Sequence, residues 1–263
     1  MEPMTIREIM DAVGGKLLGE FGDINRMVGR VETDSRTIHA GSLFVPLVGE
    51  RFDGHAYINA ALEGGAAGCF TQRERESYLP GKFYIKVDST QRALRDLAKY
   101  YKKKFPIPVV ALTGSVGKTT TKDMVAAVLG EKYRVLKTEG NLNNEIGVPM
   151  TLLRLSGEHE IAVLELGMNH AGEIDYLSAL VEPDVVLMTN IGDSHIEHFG
   201  SREKILEAKS EIFHHVKSGA FVVINGDDPL LNTLPGKLPY AFTRVGAGEG
   251  LDYRAEPIYL AFE

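Results

Sequence analysis

Residues 111–129, ALTGSVGKTTTKDMVAAVL, constrain the fold more than any other stretch of the chain. Pro108 opens a short apolar run, Val109-Val-Ala-Leu112, suited to a central parallel strand, and residues 125–129 continue an apolar helix face after a turn. Between them, Gly114 and Gly117 let the backbone approach a polyphosphate, while the helix N-terminus offers unpaired N–H groups and the positive end of its dipole. In such a loop Lys118 reaches the β- and γ-phosphates and the Thr119 hydroxyl ligates magnesium. The pattern is shorter than G-x-x-x-x-G-K-[ST], because Leu112 stands where the first glycine would be. With a strand before it and a helix after it, TGSVGKTT reads as a site for a nucleoside triphosphate.

The bulk properties allow two domains. The chain has 263 residues, 44% of them hydrophobic and 25% charged, a soluble globular composition. A net charge of −7 gives no reason to expect nucleic acid or an acidic membrane as partner. The one cysteine, Cys69, allows no internal disulfide and fits a reducing compartment, where it reads as a small buried residue. The N-terminal MEPMTIREIM lacks a basic region followed by an apolar core, and no run approaches about 18 apolar residues. The protein is therefore expected in the cytoplasm, without membrane insertion.

Taken in order, Thr5 and Glu8 form a capping box that opens a helix with Ile6, Ile9, Met10 and Val13 on one face, and Gly14-Gly15 ends it. Strand-like segments follow at 27–33, 42–48, 68–71 and 83–87, with helices at 56–63 and 91–105. Pro106 and Pro108 punctuate a boundary. Beyond the phosphate loop, strands are expected at 133–138, 160–166, 184–190 and 220–225, and helices at 149–155 and 201–215, the last with Ile205, Ala208, Ile212 and Phe213 on its apolar face. The expected fold class is α/β: a small N-terminal α/β domain over residues 1–105, then a P-loop NTPase-like central domain over 106–263, its mostly parallel sheet flanked by helices.

Several polar stretches stand at strand ends. Thr33-Asp-Ser-Arg36 and the loop 49–55, GERFDGH, are placed like binding loops, although capped turns share their composition. Loop 139–147 carries three asparagines, each offering donor and acceptor without charge. Glu165 closes an apolar strand near the phosphate loop, where an acid can hold magnesium. His195 lies just past the next strand, and Lys209 sits in an amphipathic helix as a surface lysine would. Gly226-Asp-Asp-Pro229 suits either a plain turn or a contact to base or ribose, and His214-His215 lacks the spacing of a zinc site.

Together the motifs TDSR, LFVPLVGERFDGHAYINAALEGGA, TGSVGKTTTKDM, EGNLNNEIGVPMTLLRL, ELGMNHAGEID, TNIGDSHIEHFGSRE and AKSEIF resemble the Mur ligases of peptidoglycan synthesis over nearly the whole chain. KTTTKDM, ELGMNHAGEI and NIGDSHIEH favour the member that joins D-alanyl-D-alanine to UDP-N-acetylmuramoyl-tripeptide over the sister that installs the third amino acid. The resemblance implies an ATP-dependent amide ligase acting as a monomer with Mg2+. It assigns Asp34, Ser35, Arg36, Asp53, Gly54 and His55 to the UDP-sugar substrate, and Gly114, Ser115, Val116, Gly117, Lys118, Thr119, Thr120 and Asn144 to ATP. Lys118, Glu165, His195 and Lys209 would be catalytic; Thr119, Glu165, His195 and, if carbamylated, Lys209 would be metal ligands. The family's third, C-terminal Rossmann-like domain has no counterpart, so a fragment with little turnover of its own is expected, ending in a strand-like Tyr259-Leu-Ala-Phe-Glu263. Two other classes compete: a P-loop kinase or GTPase, disfavoured by the TDSR and GERFDGH loops and by the missing N-K-x-D, and a non-catalytic UDP-sugar-binding module.

Overall fold

The computed structural model describes residues 1–49 and 52–256; the expected strand at the C-terminal end lies outside them. The chain divides into two compact units, Met1–Pro106 with Pro149–Gly157, and Ile107–Val148 with Glu158–Glu263.

In the first unit the capping box forms as expected: Thr5 Oγ1 accepts the Glu8 N–H and Glu8 accepts the Thr5 N–H, opening α1 (Ile6–Val13), which Gly14 ends in the left-handed conformation. β1 (Met4–Thr5) pairs antiparallel with β3 (Met27–Val28). A second sheet runs in the order β2 (Lys16–Leu18), β9 (Phe83–Lys86), β8 (Gly68–Thr71), β5 (Leu43–Phe44), β4 (Val31–Glu32), parallel except for β2. The strand expected over 27–33 is thus two strands in different sheets. The one expected over 42–48 is also split: after Pro46, which has no N–H to give a ladder, β6 (Val48–Gly49) pairs with β7 (Phe52–Asp53). α2 (Ile58–Glu63) contributes Ile58, Ala61 and Leu62 to a core with Phe44, Cys69 and Tyr84, and burial pushes the Cys69 thiol up to about 12. α3 (Thr90–Lys102) is capped by Ser89. Its Tyr101 hydroxyl accepts the Glu2 N–H and donates to the Leu155 carbonyl, each at 2.6 Å, fixing segment 149–157 within this unit.

The second unit is built on a seven-stranded sheet in which every pairing is parallel. Its order is β11 (Val135–Lys137), β12 (Ile161–Glu165), β10 (Val109–Thr113), β13 (Val185–Met188), β14 (Phe221–Asn225), β15 (Phe242–Gly246), β16 (Tyr253–Arg254). All five residues of β10 are buried, which its continuous apolar run requires. After β10 the chain builds strands first on one side and then on the other, so the C-terminal end of β10 is the switch point where ligands of open α/β sheets bind.

α4 (Lys118–Gly130) follows β10 directly, and α5 (Gly147–Leu152) starts two residues before the expected helix. α6 (Glu173–Val181), β2, β15 and β16 were not anticipated from the sequence. α7 (Ile196–Phe199) is one turn, and α8 (Arg202–Ser210) is capped by Ser201. The helix expected to reach residue 215 tightens after Ser210 into a 3-10 segment, Glu211–His215. Contacts to α6 account for the change: Glu211 accepts the N–H groups of Gly172 and Asp175, Ser178 Oγ donates to the Ile212 carbonyl, and Asp175 meets both His214 and His215. No helix among the described residues is long and apolar enough to cross a membrane.

Candidate functional site

The loop between β10 and α4 takes its shape from two glycines. At Gly114, φ is +152°, and a Cβ there would lie 2.0 Å from Thr189 Oγ1, so a side chain is excluded twice over. Gly117 has φ +81° and is the N-cap of α4 without any side-chain cap, which leaves the first-turn N–H groups of the helix for an anion. Ser115 is buried, whereas Val116, Thr119 and Thr120 are exposed.

The residues after β13 hold this loop in place. Asn190 accepts the Val116 N–H (3.0 Å) and donates to the Val116 carbonyl (2.9 Å), which Thr189 Oγ1 also reaches at 2.7 Å. The Ser115 N–H donates to the Asn190 carbonyl, and Ser194 Oγ donates to the Ser115 carbonyl. Asp228 anchors the bracing loop in turn, accepting the Ile191 N–H at 2.7 Å while capping the turn at residues 230–231. Asp227 accepts the N–H groups of Ala247 and Gly248, so both acids of the 226–229 turn are bound within the protein.

Glu165, 1% exposed at the end of β12, is the centre of the constellation. Thr119 Oγ1 donates to its Oε2 at 2.9 Å, and Asn143 Nδ2 donates to its Oε1 at 2.8 Å. Its own N–H is held by the buried Thr138 Oγ1 at 3.0 Å. Among the three asparagines of loop 139–147 it is therefore Asn143 that meets the acid. Asn144 instead accepts the N–H groups of Ile146 and Gly147 as α5 begins.

Lys118 donates to the carbonyls of Gly114 (2.9 Å) and Ser115 (3.3 Å). Burial lowers its pKa, against the opposing pull of Glu165. Lys209 is 2% exposed, on the side of α8 shared with Ile205 four residues earlier, and not on the surface. Burial first, and then the charge of Lys118, lower its pKa from 10.5 to about 7. Lys209, Lys118, Glu165 and Thr119 thus form one electrostatic chain.

His195 has left-handed backbone at φ +63°, unusual for a residue with a side chain, and precedes α7. Its ring lies 6.5 Å from that of His198, which is 5.3 Å from that of His170. No group of three or more His, Cys, Asp or Glu among the described residues is arranged to hold a metal ion. The oxygens of Thr119 and Glu165 nonetheless fit a magnesium ion, which needs one or two protein oxygens and takes the rest from phosphate and water.

In the first unit the residues expected to bind substrate fall in two different clefts. Thr33, Asp34, Ser35 and Arg36 line a cavity of about 400 Å³ together with Phe44, Phe52 and Tyr57, the last two rings stacked 5.4 Å apart. Asp34 caps the turn after it and grips the Arg36 guanidinium through both oxygens, which holds its carboxyl down to about 2. Asp53 and His55 belong to a second cavity of about 350 Å³, lined also by Arg73, Glu74 and Arg75. His55 Nε2 accepts the Gln72 N–H at 3.1 Å, so its Nδ1 carries the proton and donates to Asp53 at 2.7 Å. Gly54 is buried and donates its N–H to the Leu47 carbonyl.

Comparison with known proteins finds relatives in both sequence and fold. Residues 112–261 match the Mur ligase middle domain, and residues 28–102 match the Mur ligase family catalytic domain. The sequence is 46% identical over 227 residues to the UDP-N-acetylmuramoyl-tripeptide–D-alanyl-D-alanine ligase of Bacillus subtilis (strain 168), covering 86% of this chain and 50% of that one. Against the ligase of the same name from Escherichia coli (strain K12) it is 42% identical over 228 residues, 87% of this chain and 49% of that one. The fold superposes on the crystal structure of MurF from Acinetobacter baumannii with a TM-score of 0.87 and 36% identity, covering 96% of this chain and 55% of that one. For MurF ligase from Thermotoga maritima in complex with ADP the values are 0.77 and 37%, with 85% and 51% covered. The chain spans about half the length of the curated relatives it matches.

Proposed function

The chain belongs to the Mur ligase family, and we propose that it carries the substrate-binding and ATP-binding parts of a ligase joining D-alanyl-D-alanine to UDP-N-acetylmuramoyl-tripeptide. The observation that carries the proposal is the contact of Thr119 and Asn143 with the buried Glu165, directly beside the phosphate loop and its Lys118.

In this reading the first-turn N–H groups of α4 and the loop 114–117 cradle the phosphates of ATP. The Lys118 ammonium, which donates to loop carbonyls, gains anionic acceptors in the β- and γ-phosphates. Thr119 and Glu165 would hold Mg2+, which neutralises charge on the transferring phosphoryl group when bound. Asn143 orients Glu165 through one oxygen, leaving the other for the cation.

The terminal carboxylate of the tripeptide attacks the γ-phosphorus, ADP leaves, and an acyl phosphate results. The amine of D-alanyl-D-alanine then adds to the acyl carbon, phosphate departs, and the amine loses a proton. Both steps accumulate negative charge, which Lys118 opposes with a preorganised cation. Lys209 is the second cationic position; a lysine with a pKa of about 7 has an amine fraction able to take up carbon dioxide as a carbamate. His195, next to the bracing Ser194, is proposed as a further metal ligand. In the first unit the stacked Phe52 and Tyr57 suit a nucleobase, and Arg73 and Arg75 suit a diphosphate. The cytoplasm is the proposed location, and a monomer the proposed state.

Mass spectrometry of the pentapeptide product, after incubation with ATP, Mg2+, the UDP-tripeptide and D-alanyl-D-alanine, tests the reading. Product supports the whole reaction. Binding of the UDP-tripeptide without product limits the chain to recognition, and absence of both product and binding overturns the substrate assignment.

A further inference from the structure

After β11 the chain leaves the sheet at Thr138 and comes back beside the end of β12 at Asn143. Backbone groups along one edge of β12 mark both points. The Val163 carbonyl accepts the Thr138 N–H at 3.1 Å, and the Gly167 N–H donates to the Asn143 carbonyl at 2.8 Å. Between these two bonds, the Glu165 N–H donates to Thr138 Oγ1. Gly167 therefore holds the backbone of the residue whose side chain donates to Glu165 Oε1 at 2.8 Å.

The two residues are closer than a side chain at 167 permits. A Cβ on Gly167 would lie 2.9 Å from Cγ and from Oδ1 of Asn143, and 3.0 Å from its Nδ2. Ordinary contacts between such atoms are about 3.5–4.0 Å. The φ of Gly167 lies outside the left-handed region, so no backbone strain requires glycine there. The three atoms nearest to that Cβ all belong to the Asn143 amide, and it is this amide that demands glycine.

Other glycines meet a different obstacle. At Gly147 an added Cβ would lie 2.4–2.7 Å from backbone atoms of Leu142, and at Gly68 it would lie 2.3 Å from the Phe83 carbonyl oxygen. Close-packed backbone has nowhere to go, so those two glycines serve the fold. The Asn143 amide is instead the terminal group of a side chain, and a change of rotamer clears it from a Cβ. That change also takes Nδ2 away from Glu165. A side chain at 167 thus spares the fold and breaks the bond.

We propose that Gly167 is a positioning residue: by having no Cβ it keeps the Asn143 amide on Glu165 Oε1 and so fixes the carboxylate beside the phosphate loop. The hydrogen bond is a property of the chain alone, whereas its effect on Mg2+ rests on the ATP-binding reading above.

Two readouts test the role of Gly167. The Asn143 side-chain amide is followed by 1H–15N NMR without nucleotide, its resonance identified by its loss in Asn143→Ala. Gly167→Ala should shift this resonance towards that of a solvated asparagine while leaving the melting temperature within about 4 °C of the parent's. Magnesium-dependent ATP binding, measured by calorimetry, should weaken about tenfold or more in the same variant, as when a group orienting a metal ligand is lost. In the Asn143→Ala background Gly167→Ala should change that affinity by less than about twofold, because the group it displaces is already gone. An unmoved Asn143 resonance in Gly167→Ala overturns the proposal, and so do additive effects of the two substitutions on ATP affinity. A parent that binds no ATP with magnesium removes the ATP-binding reading, and the resonance then decides the role of Gly167 by itself. Should Gly167→Ala fail to fold, combining it with Asn143→Ala should restore folding; a double variant that also fails assigns the glycine to the fold and overturns the proposal.

Discussion

Replacing Lys209 with methionine isolates the electrostatic cost of burying a lysine next to Lys118. The folded state lowers the Lys209 pKa from 10.5 to about 7, burial being the larger cause and the Lys118 charge the smaller. A depressed lysine pKa means that the unfolded chain binds the proton more tightly, so stability rises with pH between the two values. Below pH 7 the penalty is fully present; it is relieved as pH climbs towards 10.5. Integrating the linkage relation gives a penalty of about 4 kcal/mol at pH 7 and about 2 kcal/mol at pH 9, an order-of-magnitude figure. Lys209→Met has no such group, so its stability relative to the parent should fall by about 2 kcal/mol from pH 7 to pH 9. Urea unfolding followed by circular dichroism, at both pH values and in carbon dioxide-free buffer, measures the double difference and cancels every other titrating group. Parallel pH curves for the two proteins would refute the reasoning and mean that Lys209 stays charged in the fold. Adding 13C-bicarbonate to the parent should then give a carbamate carbon signal that Lys209→Met lacks.

The other expectations concern the loop and its neighbours. Gly114→Ala, which drives a Cβ into Thr189, should destabilise the second unit by more than about 2 kcal/mol, whereas Gly117→Ala, with open space around it, should cost only about 1–2 kcal/mol of backbone strain; urea titrations of the two variants separate them. Lys118→Ala should abolish product formation and weaken ATP while leaving UDP-tripeptide binding unchanged by calorimetry; normal turnover would remove Lys118 from the mechanism. Asn143→Ala should weaken magnesium-dependent ATP binding more than Asn144→Ala does, because only Asn143 touches Glu165, and equal effects would put Asn143 outside the site. Thr5→Ala should cost about 1 kcal/mol through loss of the capping box, without altering ATP affinity.

What was legible in the sequence is what a short window encodes. The run 109–113, the glycines at 114 and 117 and the start of α4 follow from local chemistry, because each residue type there answers a constraint set by its immediate neighbours. The same holds for Thr5 and Glu8, three residues apart on one turn. Lys209 shows where a window misleads: its helix is amphipathic, yet its spacing of four from Ile205 carries it under the surface, and only the packed unit places it near Lys118. Loop 139–147 is a sharper case. Asn143 and Asn144 are adjacent and chemically identical, so no composition or periodicity can tell the one that orients Glu165 from the one that caps α5. Their difference is made by the parallel pairing of β11 with β12, which brings the end of one strand beside the acid at the end of the next. Thr189, Asn190, Ser194 and Asp228 are likewise polar residues at strand ends whose partners lie dozens of positions away. The supporting contacts of this site are therefore a property of the sheet order, and substitutions that shift β13 against β10 should disturb the phosphate loop as much as substitutions within it.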